Sequence, residues 1–332
     1  MASDFWLRLK NNKKPILALA PMAGFSDSAF RQICCYYGAK VVYSEMVSAA
    51  ALFYNQKKKD NATLDLLKFN RLKERYFVVQ IFGSEPKHFA FAAKLISEKI
   101  KPDGIDINFG CPVPKIIKQG AGAGLMKDLE KSREVIEAVL ANTKLPVSIK
   151  IRTQSGSVSA FDFLKNIRDL KISALMIHGR SLSQGFAGEA DFEKIKEVRQ
   201  FFSGIILANG GINSLSSAKR ALKLSRADGL GLARGVLGRP WLFKEINCNK
   251  EMSLSSYKIF KIAFKQAVLE KEQKGQRGII EFRKHLAWYA QGLPQAAKIR
   301  SQLVKIKNIS DLKKLLANSE LFQPAIIFKD KK

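Results

Sequence analysis

The 332-residue chain is poor in the residues that build metal sites and disulfide frameworks, with 4 cysteines and 3 histidines. Cys34 and Cys35 are adjacent, which makes them poor disulfide partners, and no C-x-x-C pair exists. His88, His178 and His285 lie far apart. No metal is therefore expected. No apolar run approaches the ~18 residues a bilayer span requires. The opening stretch "MASDFWLRLKNNKKP" has no signal-peptide apolar region. The expectation is a cytoplasmic protein with no membrane partner.

Acidic residues are also scarce. Asp and Glu total 29 against 57 Lys and Arg, a net charge of +28 spread along the chain. One reading is a polyanionic partner, RNA or DNA ahead of a membrane surface. The other is a lysine-rich proteome with ordinary solvated faces. Charge alone favours the first without excluding the second.

What is present is a recurring pattern of short apolar runs. "ILALA" (16–20), "VVYSE" (41–45), "FVVQIF" (77–82) and "GIDIN" (104–108) come first. "PVSIKI" (146–151), "ALMIH" (174–178), "GIILAN" (204–209) and "DGLGLA" (228–233) follow. Between them lie segments such as "LEKSREVIEAVLANT", with apolar residues at helical spacing. Eight strands alternating with helices predict an α/β fold, a (β/α)8 TIM barrel. A doubly wound open sheet is the rival, disfavoured by the strand count. From about Met252 the chain becomes helical and basic. The expected division is a barrel over 1–248 and a smaller helical domain over 249–332.

Side chains alternate along a strand. Ile149 and Ile151 share one face of "SIKIR", so Lys150 faces the barrel interior with Ser148 and Arg152. The same parity turns Gln80, Asp106, Asn108 and His178 inward, near the strand ends where barrel enzymes keep their sites. Each alone is compatible with a satisfied core residue, and Lys150 with a side chain that snorkels to solvent; four strands together favour a site. "LANGGINS" and "LARGVLGRPW" follow the last two strands, where barrels often bind phosphate. Gly210 and Gly211 permit close backbone approach, and Arg234 can add a charge-assisted bond. The glycines also suit a plain chain reversal. "GAGAG" at 120–124 lacks the strand context and spacing of a dinucleotide loop and reads as a mobile or tight turn.

"LAPMAGFSDSAFR", "SEM", "VQIFGSEP", "DINFGCPVPKIIKQGAGAGLM", "IKIRT", "MIHGRS", "ANGGI" and "LARGVLGRPWLF" occur in one order along the chain. Together they resemble the tRNA-dihydrouridine synthases, closest to the bacterial B-type branch, densely over residues 15–245 and more loosely in the tail. The resemblance implies an FMN-binding catalytic barrel, a helical tRNA-binding domain, and NADPH or NADH as reductant. It implies that reduced FMN sends a hydride to C6 of a D-loop uridine. By motif, Pro21, Met22 and Ala23 would line the flavin ring, Gln80 and Lys150 would bond its polar edge, and His178 would lie against it. Asn209, Gly210, Gly211, Ala233 and Arg234 would hold the phosphate end. Cys111 matches the catalytic cysteine, with Asn108 and Arg152 at positions that hold the uracil. Relatives usually carry N-G-D where this chain has Asn209-Gly210-Gly211, so an acidic group is missing. The implied partners are tRNA and NAD(P)H, with the chain acting as a monomer.

Reducing the 5,6 double bond of uracil also needs a proton at C5. A thiol of pKa ~8.5 is mostly protonated at neutral pH, which suits Cys111. Basic candidates for gripping RNA are Arg283, Lys284, His285, Lys298 and Arg300, with Lys115 and Lys118; Phe186 could stack on a base. Reduction of a free pyrimidine, Schiff-base chemistry through Lys150 and non-catalytic RNA binding are the alternatives left open.

Overall fold

The computed structural model describes residues 4–12, 14–56 and 61–318. The chain divides into two compact units, residues 1–235 and 236–332.

The first unit is a closed parallel barrel of eight strands. They are β1 (Ile16–Leu19), β2 (Val41–Tyr43), β3 (Phe77–Phe82), β4 (Gly104–Asn108), β5 (Val147–Arg152), β6 (Ala174–His178), β7 (Ile205–Asn209) and β8 (Gly229–Leu232). Each strand pairs with its successor, and β1 pairs with β8 from Ile16↔Gly229 to Leu19↔Leu232, which closes the ring. This is the expected TIM barrel. Two of its helices begin where side chains take up free N–H groups of the first turn. Asp128 accepts from the Lys131 N–H to start Leu129–Ala141, and Ser214 forms a capping box with Ser217 to start Leu215–Ser225.

Strand alternation sorts the interior by height. Ile16, Ala18, Val41, Tyr43, Val78, Ala174, Met176, Ile205 and Leu207 form one apolar cluster. The cluster also contains Phe5, Trp6 and Leu9, from a helix at Phe5–Lys10 that the sequence reading did not anticipate. That helix starts at Asp4, whose side chain accepts from the Trp6 N–H at 2.9 Å. Burying each large apolar side chain there contributes about 1.5–3 kcal/mol. Interior sizes are matched: a Cβ on Gly231 would lie 2.7 Å from the Met176 sulfur, so β8 carries glycine where β6 carries methionine.

In the second unit the helical stretch Ser256–Tyr289 is broken at Gly275, with φ 61° and ψ −141°. Only glycine adopts that conformation without strain. The two halves then run back along each other. Tyr289 Oη donates to Gln266 Oε1 at 2.9 Å, and a Cβ on Gly278 would lie 2.2 Å from the Glu270 carbonyl oxygen. Helices Ala296–Leu303 and Ile309–Asn318 follow, and Arg283 Nε donates to the Ile306 carbonyl at 2.7 Å. Residues 236–248, read from sequence as the end of the barrel, fall within this compact unit. Gly238 lies so close to the Trp288 backbone that a Cβ would sit 2.3 Å from its carbonyl oxygen. The tail expected to run to 332 is described as far as Asn318. His285 is fully buried beside Phe282, which removes it from the RNA-gripping candidates. Among the described residues no helix is long and apolar enough to cross a membrane.

Candidate active site

The proposed site residues lie in the C-terminal halves of the strands or in the loops that follow them. Pro21, Met22 and Ala23 follow β1, on a turn in which Ser26 Oγ accepts from the Met22 N–H at 2.9 Å and donates to its carbonyl at 3.1 Å. Glu45 accepts from the Gly24 N–H and ties that turn to the β2 loop. Gln80 lies two residues before the end of β3, and Asn108 ends β4, three positions ahead of Cys111.

Cys111 is 8% exposed and sits in a loop held from three sides. Asn108 Oδ1 accepts from the Gly110 and Cys111 N–H groups at 3.0 and 2.9 Å. Arg152 Nε donates to the Gly110 carbonyl at 2.9 Å. Ala123 N–H donates to the Cys111 carbonyl at 3.1 Å, and a Cβ on Gly122 (φ +58°) would lie 2.9 Å from the Cys111 Cβ. The "GAGAG" stretch is therefore a tight turn that braces Cys111. Ser155 Oγ fixes it in turn by donating to the Ala123 carbonyl at 2.5 Å.

Arg152 also reaches across the mouth. Its Nη1 donates to the Ser181 and Gly185 carbonyls at 3.0 and 3.2 Å, so one guanidinium joins the β4 loop to the β6 loop. On the β6 loop, Arg180 donates twice to the Gly188 carbonyl, at 3.0 and 2.8 Å. Phe186 is exposed beneath the Arg234 guanidinium, whose carbon lies 3.9 Å from the ring centroid. Glu45, Gly122, Ser155 and Arg180 escaped the sequence reading. Glu45 in "SEM" and Arg180 in "HGR" lay within quoted motifs, but all four make their contacts with or through backbone groups, which residue type does not reveal.

The electrostatics follow from burial in a basic mouth. Burial pushes the Cys111 thiol up, so it stays protonated at neutral pH. Burial, with the nearby Lys150, Arg152, Arg180 and Arg234 cations, lowers His178 to about 2 and keeps its ring neutral. Burial also lowers Lys150 to about 8, with Asp106 opposing the shift. Among the described residues the Lys150 ammonium makes no ion pair or hydrogen bond. A half-buried cation without a partner is costly and marks a place for an anionic or hydrogen-bond-accepting group.

The β7 loop supplies a second such place. Asn209 Nδ2 donates to the Gly231 carbonyl at 2.7 Å, joining β7 to β8. Gly210 and Gly211 both have positive φ, +116° and +67°, and among the described residues their N–H groups meet no acceptor. A Cβ on Gly210 would lie 2.6 Å from the His178 ring. A Cβ on Gly211 would lie 3.5 Å from Arg180 Nη2, so an acidic residue at 211 would face that guanidinium. Ala233 and Arg234 follow β8 beside this loop. No group of three or more His, Cys, Asp and Glu among the described residues could hold a metal ion.

A closed parallel barrel with a protonated thiol and an unpaired ammonium at its C-terminal mouth is the framework of a barrel enzyme. A family model described as dihydrouridine synthase (Dus) matches residues 18–326. The tRNA-dihydrouridine synthase B of Pseudomonas syringae pv. tomato is 34% identical over 300 residues, 88% of this chain and 87% of that protein. A probable tRNA-dihydrouridine synthase of Aquifex aeolicus is 28% identical over 314 residues, 93% of this chain and 98% of that protein. Among solved structures, histamine dehydrogenase from Rhizobium sp. 4-9 superposes with a TM-score of 0.54 at 12% identity, over 76% of this chain and 49% of that one. The chain thus spans about half the length of that structure, and the likeness is one of fold. The chain belongs to the dihydrouridine synthase family and is an oxidoreductase.

Proposed function

We propose that this enzyme reduces the 5,6 double bond of a D-loop uridine in tRNA, with FMN as its bound cofactor and NADPH or NADH as the reductant. The observation that carries the reading is the pairing of a protonated Cys111 thiol with a partnerless Lys150 ammonium at one barrel mouth. FMN fits the residues present. Lys150 faces the site without an acceptor, and the Gly210 and Gly211 N–H groups are free for a phosphate or ribityl oxygen.

In this reading Pro21, Met22 and Ala23 line the flavin ring, with His178 against it. Gln80 and Lys150 serve its polar edge. Asn209, Gly210, Gly211, Ala233 and Arg234 serve the phosphate end. Bound FMN, once reduced, supplies the hydride that uracil C6 accepts. The chain's own task is the proton. Cys111 Sγ–H delivers it to C5, where negative charge builds as the double bond is lost. Lys150 and Arg152 lie close enough to Cys111 to favour its thiolate once the proton has left. Asn108 and Arg152 hold the Cys111 loop as well as facing the uracil site.

A uridine in a folded tRNA must leave its stack to reach such a mouth. A barrel domain over 1–248 supplies the chemistry in this proposal, and the domain over 249–332 supplies phosphate contacts. Lys298 and Arg300 are exposed on one helix of that region, as are Lys115 and Lys118 on the helix Pro114–Lys118. Deleting the gene and mapping modified nucleosides in tRNA by mass spectrometry tests the proposal. Dihydrouridine should vanish from D-loop positions and return with the wild-type gene. An unchanged dihydrouridine map would reject it.

A further inference from the structure

Asp106 is fully buried inside the barrel, and the proposed chemistry gives it no task. It accepts from two side chains, Ser148 Oγ at 2.6 Å and Gln80 Nε2 at 2.7 Å. The three are lateral neighbours across β3, β4 and β5, with Gln80 in register with Asp106 and Asp106 with Ser148. Gln80 Oε1 accepts from Asn108 Nδ2 at 2.9 Å. Asn108 Oδ1 then accepts from the Gly110 and Cys111 N–H groups.

The series has a direction. A carboxamide has one accepting end and one donating end. Two backbone N–H groups require the oxygen of Asn108. That turns its Nδ2 toward Gln80, which must answer with oxygen and so points its own Nε2 at Asp106. An ionised carboxylate accepts only, so Asp106 closes the series at its lower end. Reversing Asn108 would set donor against donor at the Cys111 loop, and reversing Gln80 would set its Nε2 against Asn108 Nδ2 and its Oε1 against the Asp106 carboxylate.

We infer that Asp106 is a positioning residue for Cys111: its carboxylate locks the Gln80 and Asn108 carboxamides in the one orientation that holds the Cys111 loop. The catalytic consequence rests on the proposed role of Cys111 as proton donor; the effect on the loop does not. Asp106→Leu removes the acceptor and frees both amides to turn. Asp106→Asn can keep its Oδ1 toward Gln80 while its Nδ2 donates to Ser148 Oγ, so it preserves the series.

The test follows alkylation of each cysteine by iodoacetamide in the purified full-length protein, resolved by peptide mass spectrometry. Exposed Cys248 is the reference, and buried Cys34 reports the fold. In Asp106→Leu the rate at Cys111 relative to Cys248 should rise at least about tenfold, while Cys34 stays protected. In Asp106→Asn the ratio should stay within about threefold of wild type. Uridine reduction in Asp106→Leu should fall in kcat with little change in KM for tRNA. If Cys34 becomes reactive in Asp106→Leu, Gln80→Leu decides, because it cuts the series one step nearer the loop. An unchanged Cys111 to Cys248 ratio in folded Asp106→Leu, or in folded Gln80→Leu where that variant decides, overturns the inference. Full uridine reduction by Cys111→Ala would instead overturn the functional reading and leave the alkylation result standing.

Discussion

Arg152 Nε donates to the carbonyl of Gly110, the residue ahead of Cys111, at 2.9 Å. The same guanidinium takes hold of the Ser181 and Gly185 carbonyls. One planar donor set therefore fixes the distance between the thiol loop and the Phe186 loop. Lysine has the charge without the fork. Arg152→Lys should lose about 1–3 kcal/mol through carbonyls left unpaired. Turnover should fall about tenfold or more. Denaturant unfolding and steady-state kinetics on the same preparation check this. Wild-type stability together with wild-type turnover would count against a joining role.

Cys111→Ala removes the proton donor and leaves the mouth otherwise intact. Loss of an oriented acid typically costs about 100- to 10,000-fold in rate. The variant should keep its flavin absorbance and its NADPH oxidation while losing uridine reduction on that scale. Stopped-flow reoxidation of the reduced enzyme by tRNA is the measurement. Reoxidation at the wild-type rate would refute the assignment.

Lys150 gives stability a pH dependence of definite sign. Its folded pKa of about 8 lies below the ordinary 10.5. Below about pH 8 both folded and unfolded chains hold the proton, and the burial penalty is carried in full. Between there and 10.5 the unfolded chain binds more protons, so stability rises with pH. The full rise amounts to about 3 kcal/mol, of which about 2 kcal/mol falls between about pH 7.5 and about pH 9.5. Urea unfolding of flavin-free protein at about pH 7.5 and about pH 9.5 should show it in the wild type, and Lys150→Met should remove it. Flavin affinity should fall over the same range, as the ammonium loses its charge. The same pH response in both proteins would rule out Lys150 as the source.

The two glycines of the β7 loop should respond differently to substitution. Gly210→Ala adds both a strained positive φ and a Cβ 2.6 Å from the His178 ring. Gly211→Ala adds strain with only the Arg180 guanidinium nearby, at 3.5 Å. Backbone strain alone costs about 1–2 kcal/mol. Gly210→Ala should exceed that cost and release flavin, whereas Gly211→Ala should stay near it and retain flavin. Melting temperatures and the flavin content of the purified variants decide the order. Equal losses in both would show that the His178 contact yields easily.

The barrel and the inward polar set were legible because strand alternation is a simple, local code. Gln80, Asn108 and Lys150 each interrupt an apolar face that the barrel would otherwise fill. The helix Phe5–Lys10 was not legible: six residues are too few to display a period, and its role comes from packing against distant strands. The brace at Gly122 and the grip of Arg152 on three carbonyls were hidden because backbone acceptors leave no mark in residue type. His285 sits among basic residues in the sequence, yet the helical turn directs it inward beside Phe282. The change of texture near 250 was visible, but the close approach of Gly238 to the Trp288 backbone, within the second unit, leaves no mark in residue type.

The hydrogen bonds between residues 16–19 and 229–232 have a consequence for biosynthesis. The ribosome releases the first strand long before its eventual neighbour has been made. Throughout that interval an apolar β-edge stands open to other nascent chains, as it does in any protein dominated by distant pairings. A transcript broken anywhere before codon 229 would yield a product with that seam permanently unsewn, a natural substrate for chaperones and proteases.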